Sequence, residues 1–125
     1  MIRLIFIIGS GSFIGGIARF LLSRYIQNYA LSSFPFGTFA VNILGCFLIG
    51  IFYGFSDKGN FINPQWRMFL TVGFCGGFTT FSSFANENIS LLRENDFFYF
   101  ALYTSLSVFL GLLAVYLGNI LTKLI

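Results

Sequence analysis

Residues 97–122 run for a full membrane thickness without one charged side chain, and three further stretches, at about 4–26, 37–55 and 66–92, come close to doing the same. About 20 apolar residues at about 1.5 Å of rise each are enough to cross a bilayer as a helix. The chain has 125 residues, so four such stretches account for most of it. A water-soluble domain carries about 25% charged residues, whereas this chain carries 9%, with 57% hydrophobic. The expected fold is therefore an all-α integral membrane protein, a single four-helix transmembrane domain over residues 1–125. The connections, at about 27–36, 56–65 and 93–96, are short, and Pro35 and Pro64 fall within them, where a missing N–H costs little. Met1-Ile2-Arg3 before an apolar run imitates a secretory signal. The pattern continues past Gly16 to an arginine and further apolar residues, so a retained first helix is expected.

The third stretch contains Gly73-Phe74-Cys75-Gly76-Gly77-Phe78-Thr79-Thr80-Phe81-Ser82-Ser83-Phe84. Glycine is a weak helix former, and Thr and Ser compete for backbone hydrogen bonds. In lipid every backbone polar group needs a partner, so interrupted backbone persists only where protein or a polar path surrounds it. A third helix broken at mid-membrane is expected, with freed carbonyls available to an ion or solute. Small residues four apart recur at Gly11/Gly15, Gly50/Gly54 and Gly73/Gly77. The first two pairs read as close helix packing, the third as part of the break.

The net charge of +3 does not point to nucleic acid, because the seven basic residues are scattered singly and form no phosphate-tracking patch. Four spans place both termini on one side. That side carries Arg3, Lys58, Arg67 and Lys123, the other Arg24, Arg93 and Arg19. So weak an asymmetry leaves orientation loosely specified and is compatible with insertion both ways, as an antiparallel dimer requires. Arg19 lies well inside the first span. Its long stem can snorkel to the interface, and its charge can serve an anion-attracting vestibule.

Catalysis has little to start from. There is no His, and the acids Asp57, Glu87, Glu94 and Asp96 lie near span ends or in loops, so no base is positioned beside a nucleophile. Cys46 and Cys75 fall in spans and make no metal pattern. The polar groups at membrane depth include Asn42, Thr79, Thr80, Ser83, Tyr103, Thr104 and Ser107. These are neutral donors, which can replace an anion's water without trapping it. Phe81 and Phe84 share a helical face beside the break, and the positive edges of their rings can touch an anion. A proton-coupled exporter would require a carboxylate deep in a span, and the first span holds none. A purely structural subunit leaves the hydroxyl-rich break unexplained.

Three elements, Gly15-Gly16-Ile17-Ala18-Arg19-Phe20, Phe36-Gly37-Thr38-Phe39-Ala40-Val41-Asn42-Ile43-Leu44-Gly45 and the segment from Gly73 to Phe84, together resemble the Fluc/CrcB fluoride channels in order and spacing. The resemblance spans essentially the whole chain. It implies an antiparallel, dual-topology homodimer in the cell's inner or plasma membrane, with two fluoride pathways along the subunit interface. It also implies a structural sodium ion at the dimer centre, held by main-chain carbonyls that map onto Gly76 and Thr79. The family's phenylalanine pair maps onto Phe81 and Phe84, its pore amide onto Asn42 and its vestibule arginine onto Arg19. Its polar track maps onto Thr80, Ser83, Tyr103, Thr104 and Ser107, and Glu87 matches an acidic position without an assigned role. Phe20 stands where the family commonly has Tyr, and Phe78 where it commonly has Leu. The implied activity is passive fluoride export, not enzyme catalysis.

Overall fold

The computed structural model describes residues 1–59 and 62–125. Helix α1 covers Ile2–Ala30 and α2 covers Phe36–Asp57. The third span is composite: α3 (Pro64–Met68), a π-helix (Phe69–Cys75), α4 (Gly76–Phe78) and α5 (Phe81–Arg93). Helix α6, Phe97–Leu124, completes the bundle. Among the described residues, four helical spans are long and apolar enough to cross a membrane. Their ends fall within four residues of the expected bounds. The expected connection at 56–65 includes Asn60 and Phe61, which lie outside the described residues.

Local chemistry sets the helix ends. Helix α1 stops at Leu31, which adopts φ 49° and ψ 45° and donates its N–H to the Gln27 carbonyl at 3.2 Å. The Gln27 side chain then organises the connection. Its amide nitrogen donates to the carbonyls of Ser32 (2.8 Å) and Phe34 (3.1 Å), and its oxygen accepts the Gly37 N–H at 2.9 Å. The last bond satisfies one of the orphan donors in the first turn of α2. Asn63 caps α3 by accepting the Trp66 N–H at 2.9 Å, with Pro64 at the first helical position, where proline's missing donor matters least. Asp96 caps α6 through the Tyr99 N–H at 3.1 Å.

Glycine lets the backbones touch. A Cβ on Gly11 would lie 2.6 Å from the Phe69 carbonyl oxygen, and one on Gly77 2.6 Å from that of Ser12. Gly15 similarly abuts the Phe74 carbonyl, and Gly73 sits against Ile8 and Gly11. Gly73 and Gly77 are thus the counterface of Gly11 and Gly15, which corrects the sequence-based assignment of that pair to the break. The break itself begins two residues later. Between α2 and α6, Gly50 meets the backbone of Val115 and Gly118 meets that of Phe47. Lipid supplies no hydrophobic drive between helices, so such close contact is where association gains its dispersion energy.

A small aromatic core ties the break to the α1–α2 connection. Phe34, Leu91 and Tyr103 are buried together, with Phe39, Phe84 and Tyr99 packed around them. Phe34 meets the rings of Tyr99 and Tyr103 edge-on, both at 5.4 Å. This cluster anchors α5 between α2 and α6. Large apolar side chains elsewhere, such as Phe6, Phe13, Phe109 and Leu112, point outward, as lipid-facing residues do.

Candidate functional site

From Pro64 to Phe78 the third span is continuously helical, and it then opens at two extended residues. Thr79 has φ −92° and ψ 158°, and Thr80 φ −149° and ψ 119°. Helix α5 restarts at once because Thr80 is its N-cap: the Thr80 hydroxyl accepts the Ser83 N–H at 3.1 Å. Thr79 closes the preceding segment, its N–H and its hydroxyl both bonding the Cys75 carbonyl, at 3.0 and 2.9 Å. The two threonines therefore terminate one helix and initiate the next.

Asn42 of α2 holds the opened backbone. Its Oδ1 accepts the Thr80 N–H at 2.7 Å and its Nδ2 donates to the Thr80 carbonyl at 3.1 Å. One amide N–H of Asn42 is left over. In an unbroken helix the Thr80 N–H would bond the Gly76 carbonyl, and the Ser83 N–H would bond that of Thr79. Asn42 takes the first donor and the Thr80 hydroxyl takes the second. The Gly76 and Thr79 carbonyls thus lose their helical donors through named side-chain bonds. These are the two carbonyls that the resemblance pairs with a sodium ion, and the donor chemistry fits one, since main-chain oxygens suit a hard cation.

The Gly77 carbonyl is treated differently. Arg19 of α1 donates Nε to it at 3.0 Å. Arg19 therefore turns inward to the break and does not snorkel to the interface. The positive residue that lines the open recess at the end of α1 is Arg24, together with Ser23, Asn28, Thr38 and Glu87.

Electrostatically the break brings unlike ends together. The carbonyl end of the Pro64–Phe78 segment is partially negative and the N–H end of α5 partially positive. Cation-binding and anion-tolerant surfaces can therefore coexist within a few residues. Beside the α5 end lies an open groove of about 250 Å³ lined by Asn42, Cys46, Thr79, Thr80, Phe81, Phe84, Ser107 and Val108. The Phe81 and Phe84 rings sit 5.6 Å apart, tilted by 44°. Phe81 is 79% exposed, while Phe84 leans on Tyr103 at 5.0 Å. The Ser107 hydroxyl oxygen is enclosed and has no hydrogen-bond partner among the described residues.

The groove thus gathers Asn42, Thr79, Thr80, Phe81, Phe84 and Ser107, and leaves out three other track candidates. Tyr103 is fully buried, with its hydroxyl donating to Glu87 Oε1 at 2.8 Å. Thr104 donates to Asn88 Oδ1 at 3.2 Å. Ser83 contributes its backbone N–H to the Thr80 cap. Gly76 lies on the carbonyl side of the break. Sequence reasoning missed the partners of Glu87, which also accepts the Thr38 hydroxyl at 2.7 Å. Thr38 lies four residues before Asn42, on the same face of α2, and that spacing was the available signal. It also missed Gln27 as an organiser, because a lone amide at a span end carries no pattern.

Four membrane-length helices, one of them interrupted beside an open, largely apolar groove, define a small multi-pass membrane protein. A family model described as CrcB-like protein, Camphor Resistance (CrcB), matches residues 6–119, and the chain belongs to that family. It is 47% identical over 97% of its length to a Flavobacterium psychrophilum protein named Fluoride-specific ion channel FluC, covering 98% of that protein. Proteins of the same name from Azobacteroides pseudotrichonymphae (44% identical; 98% of this chain and 98% of the relative) and Chlorobium phaeobacteroides (46%; 94% and 91%) are similarly related. These relatives are named as ion channels and not as enzymes.

Proposed function

We propose that this protein is a fluoride-selective channel of the cell membrane that lets the anion leave passively. The observation that carries the reading is the groove at the break, in a chain closely similar to proteins named for that activity. It is lined by Asn42, which has a spare N–H, by the rings of Phe81 and Phe84, and by Ser107, whose enclosed hydroxyl has no partner among the described residues, with no fixed charge among its lining residues. Fluoride is small and accepts strong hydrogen bonds, so a few well-aimed neutral donors can compensate its dehydration. Chloride gains less from the same donors. An interior-negative potential contributes about 2.3 kcal/mol per charge per 100 mV toward expulsion of an anion.

The working unit is an antiparallel homodimer, each protomer closing the other's groove. The open side of the groove and the outward Phe81 support this reading, as does the weak charge asymmetry. A sodium ion at the dimer centre would be held by the Gly76 and Thr79 carbonyls. When bound, it supplies positive charge that satisfies these oxygens and stiffens the interface. The chain's own residues do the rest: Asn42 keeps the break open, Thr80 caps α5, and Phe81, Phe84 and Ser107 line the path.

The test is fluoride efflux from liposomes holding the purified chain, read with a fluoride electrode beside a chloride trace. Rapid fluoride loss with chloride retained is expected; equal loss of both refutes selectivity, and loss of neither refutes a channel formed by this chain alone. A C-terminal tag probed on sealed vesicles is expected to be accessible from both faces; one-sided access refutes dual topology.

A further inference from the structure

We infer that Arg19 is a positioning residue that sets the cation preference of the break, by bonding the Gly77 carbonyl and placing a fixed positive charge there, so that this oxygen is a poorer ligand for an ion. The inference rests on the proposed sodium site and deepens it. It starts from a bond between distant parts of the chain, Arg19 Nε to the Gly77 carbonyl at 3.0 Å. In an uninterrupted helix that carbonyl would accept the Phe81 N–H, but Thr79 and Thr80 are extended and the donor is displaced. Gly77 lies between residues that lose their helical donors, and it alone of the three, Gly76, Gly77 and Thr79, gains a charged substitute.

Two consequences follow from the chemistry. First, the Arg19 Nε takes one of the two acceptor positions of the Gly77 oxygen, which makes that oxygen a poorer ligand for a cation beside it. Second, a fixed positive charge at a partially negative helix end opposes a second positive charge nearby, most strongly where water is scarce. Both effects favour a compact ion satisfied by few oxygens over a larger one that needs more. The close packing of α1 on the third span through Gly15 and Gly77 keeps Arg19 in reach. The same geometry explains how an arginine is tolerated in the first span: its charge is spent on the negative end of a helix.

The experiment measures thermal stability of the purified full chain in detergent, titrated with NaCl, KCl or N-methylglucamine chloride at fixed ionic strength. For the native chain, Na⁺ raises the unfolding midpoint at lower concentration than K⁺. For Arg19→Gln, the Na⁺ half-effect concentration is expected to fall by about tenfold, with K⁺ becoming nearly as effective as Na⁺. Arg19→Lys retains the charge and a donor and is expected to keep the native preference for Na⁺. A native chain that ignores Na⁺ overturns the sodium reading and this inference with it. A native chain that responds to Na⁺, with Arg19→Gln unchanged in both affinity and preference, overturns this inference alone. If Arg19→Gln does not fold, a lysine variant stabilised equally by Na⁺ and K⁺ overturns it as well.

Discussion

Replacing Asn42 by alanine tests the logic of the break most directly. Asn42 makes two hydrogen bonds to one residue, at 2.7 Å from the Thr80 N–H and 3.1 Å to the Thr80 carbonyl. Alanine leaves the Thr80 N–H without a partner, while the Thr80 carbonyl, at the N-cap of α5, keeps its helical donor. An orphaned buried group costs about 1–3 kcal/mol. The Thr80 N–H also has somewhere to go, because the Gly76 carbonyl is its helical acceptor. Asn42→Ala therefore favours a closed helix over the open break, by roughly thirtyfold at about 2 kcal/mol. Fluoride efflux from liposomes is expected to drop at least about tenfold, and the unfolding midpoint of the purified protein to fall. Asn42→Asp keeps the acceptor for the Thr80 N–H but sets a carboxylate oxygen against the Thr80 carbonyl and negative charge beside the path, so stability falls and flux is abolished. An alanine variant with native efflux and native midpoint would refute the clamp.

Phe81→Ile and Phe84→Ile are each expected to reduce fluoride efflux strongly while leaving the helical circular dichroism signal intact. Native flux in both would remove the ring edges from the pathway. Thr79→Ala retains the backbone oxygen but loses the bond to the Cys75 carbonyl, so Na⁺-dependent stabilisation persists on a protein about 1 kcal/mol less stable. Loss of the Na⁺ response would assign the ion to the side chain. Gly15→Val sets a branched side chain against the Phe74 carbonyl, where overpacking costs about 1–3 kcal/mol or more. A normal yield and midpoint for that variant would refute the close packing of α1 on the third span.

The membrane class and the four spans were legible in the sequence because hydropathy is summed over some 20 residues and no local contact can overturn it. The break was legible for a related reason: glycines and hydroxyl residues conflict with helix locally, whatever surrounds them. Partner choice was not. Arg19 looked like a surface-seeking side chain, and only the packing of α1 on the third span brings it to the Gly77 carbonyl. Tyr103 and Ser107 are alike in spacing on one helix, yet one is locked onto Glu87 and the other lines the groove with an enclosed hydroxyl that has no partner among the described residues. Gly73 and Gly77 belonged to helix packing because a Cβ would be tight against α1 at Gly73 and has no room at Gly77, which follows from the distance to α1 and not from residue type. By itself the sequence determined how many helices cross the membrane and where one of them fails. Tertiary structure decided which donors each broken carbonyl keeps, because a hydrogen bond between residues 38 or 58 positions apart exists only once the helices have packed.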